Sequence, residues 1–498
     1  MSTKAVIGRL LGAASAALFS VAAYWTYSTQ PSKHTQLVVQ PARPLVTTTA
    51  AAPSTLSVDS SSEASESSDV ALTFPVVLPP RVTPAQASVV TDGFLQQCNE
   101  VAAYGLPSTA EVRCYGGYLA SLNYERRIPN WVMEAVDYRR LRPGSRSSSA
   151  AAPADCGDDA AQGEEGVCDD SRDVSRNRSN FYADDTVPAV FRVGPDSYTS
   201  RGMSRGHLAP AQLHKASQAE MDATFNMNAN IVPQDMTLNA VDWLRLETLT
   251  RNLSRELSAG QQQPSRGRRL DDSPPAANTS ESEGTGGGGK LYVVTGPAFV
   301  PRLTRVELRP DGTEAHVSLS PTDTSAAPAK TTALVKLMMT YELTGHPARG
   351  TPVAVPSHLF KVLLAEEDGG QSHSAAAFMM PNGPITEQVP LTAYQVPIDQ
   401  LERITGLHFF PGMDATRLPD LCKMHKCDAP PSALFKHYRQ VAQLRAASSL
   451  PQLRETYAAL QASAAGGKLD DVVVREFEKR TEELVAAAAW SADQEVQP

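Results

Sequence analysis

The chain has 498 residues, 41% of them hydrophobic, with 37 prolines, 31 glycines and a formal net charge of −9. Length alone would accommodate roughly two to four domains, but long stretches are too polar, small-residue-rich or repetitive to bury a core, which excludes one continuous globule. The acidic total argues mildly against a polyanionic partner, yet eight acids fall with one arginine between Asp155 and Asp173, so the overall charge describes no particular surface.

The N-terminus holds no acid before Asp59 and carries Lys4 and Arg9 ahead of an apolar stretch from Leu10 to Tyr27. About twenty apolar residues span a bilayer, and this run comes close. Two readings stand: a mitochondrial import signal retained as an inner-membrane anchor, or a secretory signal peptide. Residues 1–29 are thus expected to be a targeting or membrane-anchor segment and 30–68 a low-complexity linker. The main folded unit is expected over 69–411. It is interrupted by an acidic Ser/Ala insertion at 143–178, a Gln/Pro/Ser/Gly insertion at 259–289 and a mixed one at 302–349. The first two read as disordered, and the third is expected to add a strand or hairpin to the core.

Two further patterns carry little. Gly284 to Lys290 matches G-x-x-x-x-G-K but lacks the following Ser/Thr and precedes the strand Leu291-Tyr292-Val293-Val294, whereas a phosphate loop follows a strand and opens a helix. The six cysteines, Cys98, Cys114, Cys156, Cys168, Cys422 and Cys427, include no C-x-x-C pair. Cys422, His425 and Cys427 lack a fourth zinc ligand, so a free or disulfide-bonded pair is the reading there. Residues 412–498 form a helical extension, with amphipathic segments marked by Leu434, Tyr438, Val441 and Leu444, then Leu453, Tyr457 and Leu460, then Val473, Phe477 and Leu484.

The chemistry is concentrated between Ser204 and Arg251. Gly202 and Gly206 make the stretch from Ser204 to Leu213 a loop or strand end, where His207 is free of a helical face. From Thr237 to about Leu257 apolar residues recur at helical spacing with no Pro or Gly, predicting one helix. Asn239, Trp243, Glu247 and Arg251 follow at steps of four along one drifting stripe. An Asn oxygen in the first turn can ligate a hard cation, with Glu247 holding its waters or ligating directly, a donor set better suited to Mg²⁺ than to Zn²⁺. His207 is an able proton acceptor near neutrality. Singly, His207 is an ordinary imidazole, Asn239 a helix cap and Glu247 with Arg251 an i,i+4 ion pair. Together they supply a base, a cation ligand and guanidinium cover for charge at phosphorus, which is what phosphodiester hydrolysis needs.

These residues resemble the DNA/RNA non-specific endonuclease family, the ββα-metal (His-Me finger) nucleases that include mitochondrial endonuclease G. The family's D-R-G-H, S-N-x-x-P-Q and L-N-x-x-x-W-x-x-L-E motifs appear as Ser204 to His207, Ala229 to Gln234 and Leu238 to Glu247, with Arg251 following. Asn180 to Asp185, Val294 to Pro297, Val355 to Val362 and Met380 to Asn382 resemble further family segments, so the likeness covers roughly residues 100 to 411. It implies an α+β fold: a twisted antiparallel sheet core with helices, and a ββα finger holding His207 and Asn239.

The resemblance implies His207 as general base and Asn239 as protein ligand to Mg²⁺, possession of Mn²⁺ activity being compatible. Glu247 would orient metal-bound waters or ligate, Arg205 and Arg251 would steady the phosphate, and Asn230 and Gln234 would support the site by hydrogen bonds. The implied substrates are single- and double-stranded DNA and RNA, cut to 5′-phosphate ends in mitochondrial nucleic-acid degradation or programmed cell death. A homodimer is implied by the family only, and the family favours the mitochondrial reading of the N-terminus. One departure stands out: Ser204 occupies the place of the motif's Asp, and altered ion dependence is expected. Two rivals remain: a catalytically weakened nucleic-acid-binding protein on a nuclease fold, and a phosphodiesterase for smaller substrates.

Overall fold

The structure is a computed structural model describing residues 74–138, 174–198, 202–259, 289–308, 313–318, 334–345, 351–367, 369–435 and 437–495. The N-terminal segment, the linker and most of the first two insertions lie outside the described residues, as do Gly284 to Gly288 of the phosphate-loop-like run.

Apolar runs bounded by turns supply the strands. In chain order these are β1 (Val112–Cys114), β2 (Tyr118–Asn123), β3 (Ile128–Val136), β4 (Met203–His207), β5 (Ile231–Asp235), β6 (Lys290–Ala298), β7 (Arg302–Leu308), β8 (Glu314–Ser318), β9 (Leu334–Met338), β10 (Leu343–Thr344), β11 (Val353–Ala354), β12 (His358–Glu367), β13 (Ser372–Pro381) and β14 (Gln395–Val396). Seven of them form one antiparallel sheet in the order β1-β2-β3-β6-β12-β13-β14. Nearly every residue of β6 and β12 is buried, so both faces are covered. On them pack Phe94, Cys98 and Val101 of α1 (Ala87–Val101) and, further along, Leu246, Leu249, Leu253 and Leu257. A disulfide between Cys98 and Cys114 fastens α1 to β1. This is the expected α+β arrangement.

The third insertion does make strands, but β7, β8 and β9 form a separate three-stranded sheet. The reason is geometric. β6, from which the insertion departs, already has β3 on one side and β12 on the other, leaving no edge for a continuing strand.

The hairpin of β4 and β5, whose connection carries α2 (Gln218–Ala223), leads into α3 (Met236–Leu238), a π-helical turn (Asn239–Trp243) and α4 (Leu244–Ala259). Asn382, just past β13, anchors this finger. Its side-chain amide donates to the Pro233 and Pro356 carbonyls at 2.9 Å each and accepts the Asp235 N–H at 2.8 Å. The carboxylate of Asp235 in turn caps α3, taking the N–H groups of Thr237 at 2.8 Å and Leu238 at 3.1 Å.

A buried cation joins sheet to finger. Lys361 in β12 is fully buried and donates to the Thr295 hydroxyl at 2.6 Å and the Leu208 carbonyl at 3.5 Å. It lies 4.0 Å from a Glu134 oxygen, whose partner oxygen meets His214 at 2.9 Å.

After α5 (Ile398–Thr405) and α6 (Leu421–Met424), a disulfide closes Cys422 on Cys427. The tail forms α7 (His437–Arg445), α8 (Leu450–Ser463) and α9 (Asp471–Glu495), as the amphipathic pattern predicts. Its apolar cluster, which includes Val441, Leu444, Leu453 and Val473, is distinct from the main core. Among the described residues no helix is long and apolar enough to cross a membrane.

Removing one member of a buried ion pair leaves the other charge uncompensated. Lys361→Met is therefore expected to cost about 3 kcal/mol of stability, and the pair Lys361→Met with Glu134→Gln to recover at least half of it, read from urea unfolding midpoints.

Candidate active site

β4 and β5 pair antiparallel from Met203 opposite Asp235 to His207 opposite Ile231, which carries His207 to the loop end of the hairpin. A β-carbon at Gly206 would collide with the Gln234 side chain, so the position before the histidine needs a glycine. Ser204 donates its hydroxyl to the Gln234 carbonyl across the hairpin at 3.0 Å; in this chain the residue in the Asp position cross-links the two strands. Buried Asn230 donates to the carbonyls of Ala209 and Thr224 and accepts the Ala209 N–H, all at 2.8 Å, pinning the turn that follows His207. Gln234 was expected to hydrogen-bond as well, but both atoms of its buried amide are unpartnered among the described residues.

The imidazole of His207 lies between Phe181 and Phe225, with ring centroids at 5.6 and 4.9 Å. Its Nε2 is buried without a hydrogen-bond partner among the described residues. Burial first, then repulsion from Arg176 and His214, pushes its pKa down to about 3, so the ring is neutral at any physiological pH. Phe181 belongs to a segment held by buried Asp184, which accepts from Tyr115 at 2.9 Å and Asn226 at 3.1 Å. Arg205 lies over the same Phe181 ring at 5.0 Å and donates to the Pro195 carbonyl at 3.4 Å.

The sequence predicts an unbroken helix from Thr237; the structure starts it at Met236 and opens an i→i+5 turn over Asn239–Trp243. Such π-turns are rare and concentrate at functional sites. Asn239 opens the turn, partly buried, its backbone N–H bonded to the Met236 carbonyl and its side chain with no hydrogen bond among the described residues. Glu247, two turns further, is also partly buried. Burial raises its pKa to about 7; Glu134 reinforces the shift, while Lys361, Arg176 and Arg251 oppose it. Arg251 donates to Thr248 at 3.4 Å.

Two residues link the base and the helix. Arg176 acts on both His207 and Glu247 and lies 5.6 Å from the Phe225 ring. Lys361 touches the carbonyl of the residue after His207 and lies 5.6 Å from the Trp243 ring. Sequence reasoning gave neither a role. Arg176 was hidden in the insertion assigned to 143–178, whereas Lys361, a lysine amid the apolar run of β12, is a readable sign of a buried charge.

The donors also test the implied metal. Among the described residues no group of three or more His, Cys, Asp or Glu side chains can hold an ion, which rules against a caged or thiolate-type centre there. An uncommitted Asn oxygen suits a hard cation that keeps most of its waters.

The chain with this hairpin and helix on an antiparallel sheet belongs to the DNA/RNA non-specific endonuclease family, whose model matches residues 98–416. It is a hydrolase of phosphodiester bonds in nucleic acid, in a family that uses a divalent metal. It is similar to Nuclease EXOG, mitochondrial, of Danio rerio, with 29% identity over 77% of this chain and 85% of that one. It is similar also to Endonuclease G, mitochondrial, of Bos taurus, with 30% identity over 63% of this chain and 74% of that one. Nuclease C1 of Cunninghamella echinulata var. echinulata shares 29% identity over 66% of this chain and 94% of its own.

The raised pKa of Glu247 has a thermodynamic consequence. The folded state holds the proton more tightly than the unfolded state, so stability declines as pH rises from the ordinary value near 4.5 through about 7. In EDTA, the urea midpoint is expected to fall between pH 5 and pH 8, and Glu247→Gln to flatten that fall.

Proposed function

We propose that this chain is a Mg²⁺-dependent, sugar-non-specific endonuclease of mitochondria, cutting single- and double-stranded DNA and RNA to 5′-phosphate and 3′-hydroxyl ends. His207 is the general base, Asn239 the protein ligand to the metal, and Glu247 the carboxylate that orients its waters. Arg205 and Arg251 steady the phosphate, with Ser204 and Asn230 in support by hydrogen bonds and Gln234 by packing against Gly206.

The observation that carries this reading is the neutral imidazole of His207, with an unpartnered Nε2, on the hairpin that leads directly into the uncommitted amide of Asn239. Neutrality is what a base requires, since the ring needs no deprotonation before use. A pKa of about 3 is nevertheless low for efficient proton transfer. An incoming phosphodiester supplies the correction, because its negative charge raises the pKa of a neighbouring imidazole and offsets the push from Arg176. A divalent ion held by Asn239 would supply Lewis-acid polarisation of the scissile phosphodiester. Arg205, stacked on Phe181, and Arg251, propped on Thr248, present guanidiniums to the same charge.

Mitochondrial location is supported by the names of the EXOG and endonuclease G relatives and by the basic, apolar N-terminus, read as an inner-membrane anchor. The two disulfides favour the intermembrane space over a reducing compartment. Homodimerisation is carried over from the family, and with it the division into an N-terminal segment, a nuclease domain and a helical extension.

A second reading, a weakened nuclease that binds nucleic acid, draws on the cover over His207, whose Nε2 is shielded from solvent. Cleavage of supercoiled plasmid and of single-stranded RNA by the full-length chain separates the two. Mg²⁺-dependent cutting of both is expected, abolished by EDTA and reduced about a thousandfold or more in His207→Ala and in Asn239→Ala. Folded protein that binds DNA but cuts neither polymer with Mg²⁺ or Mn²⁺ would establish the second reading.

A further inference from the structure

The matched nuclease region ends at Thr416, yet two arginines beyond it reach carboxylates on either side of Asn239. Arg439 in α7 meets Asp242 with both terminal nitrogens: Nη2 donates to Oδ1 at 2.9 Å, and Nη1 makes a 2.8 Å ion pair with Oδ2 while giving its hydrogen bond to the Ile385 carbonyl at 2.6 Å. Asp242 stands inside the π-turn, is fully buried and also takes Arg245 at 2.9 Å. Arg445, at the end of α7, meets Asp235 at 2.7 Å on the oxygen that is not capping α3. It also donates to the Gly202 carbonyl at 3.4 Å. At Gly202 the backbone has φ +81°, which favours glycine, and an added β-carbon would displace the Arg445 guanidinium. Since Gly202 immediately precedes β4 and Asp235 closes β5, Arg445 clasps the open end of the hairpin.

The tail therefore touches the finger through directed polar contacts, while its apolar cluster is its own. Asn239 lies between the two clasped carboxylates, four residues after Asp235 and three before Asp242. A rigid guanidinium fork on a carboxylate fixes orientation as well as charge, and groups that hold a metal ligand from behind tune affinity for the metal.

We propose that Arg439 and Arg445 are positioning residues for the metal-holding turn, so that the helical extension is a working part of the metal site. This rests on Asn239 being the protein ligand. It requires no contact between either arginine and metal or substrate.

The test uses the full-length chain and two readouts: Mn²⁺ binding without nucleic acid, by electron paramagnetic resonance, and the Mg²⁺ concentration giving half-maximal plasmid cleavage. Arg439→Gln and Arg445→Gln are each expected to weaken Mn²⁺ binding about tenfold and to raise the Mg²⁺ requirement in step, with the rate at saturating Mg²⁺ within about threefold of the parent. Arg439→Lys keeps the charge but loses the fork; it covers the case in which the glutamine variant does not fold, and is expected to fall between that variant and the parent. Gln443→Ala removes a neighbouring α7 contact, the bond to the Thr386 carbonyl at 3.3 Å, and is expected to change neither readout. Parental Mn²⁺ affinity in folded Arg439→Lys and Arg445→Gln overturns the proposal. If Asn239→Ala binds Mn²⁺ as the parent does, the ligand assignment itself falls; if it loses binding while the arginine variants keep it, only the positioning role falls.

Discussion

An ammonium group sealed away from water decides how the two halves of this molecule meet. Lys361 occupies the middle of the sheet, and its Nζ reaches the Thr295 hydroxyl and the carbonyl of Leu208, the residue after His207. Its desolvation is tolerable because Glu134 stands 4.0 Å away and the face of Trp243 covers it. The same cation restrains Glu247: burial drives that carboxyl upward, and Lys361 is the largest influence pulling it back. One side chain thus sets where the base loop lies against the sheet and helps set how acidic the helix carboxylate is.

Around that joint the electrostatics divide into two kinds. Behind the finger, carboxylates are ion-paired, Asp242 with Arg245 and Arg439, and Asp235 with Arg445. At the finger itself, Asn239 is uncommitted and His207 is neutral, while Arg176, Arg205 and Arg251 provide positive charge. The whole-chain charge of −9 is therefore no obstacle to a polyanionic substrate, because a local cationic face can steer it.

What the sequence disclosed follows from how local each signal is. The hairpin and helix were legible because Ser204 to Arg251 gathers chemically specific residues at short spacing, and the central strands because β6 and β12 are continuous apolar runs. The π-turn was not, since Asn239 to Trp243 satisfies ordinary helical periodicity and the extra residue in the turn changes only hydrogen bonding. The sequence gives Arg439 and Arg445 no role: their partners lie some two hundred residues earlier, and nothing local announces such a pairing. Ser204 was legible as a departure, but its hydroxyl bond to the Gln234 carbonyl depended on the hairpin register.

The separate apolar cluster of α7 to α9 gives the molecule two cooperative units of unequal depth. Sub-global opening passes first through the unit with the smaller core, and here that opening releases the clasp on the hairpin while the seven-stranded sheet stays intact. Amide exchange in the tail and loosening of the turn at Asn239 are then expected to be one event, reached by chaotropes or warming at milder conditions than those that melt the sheet.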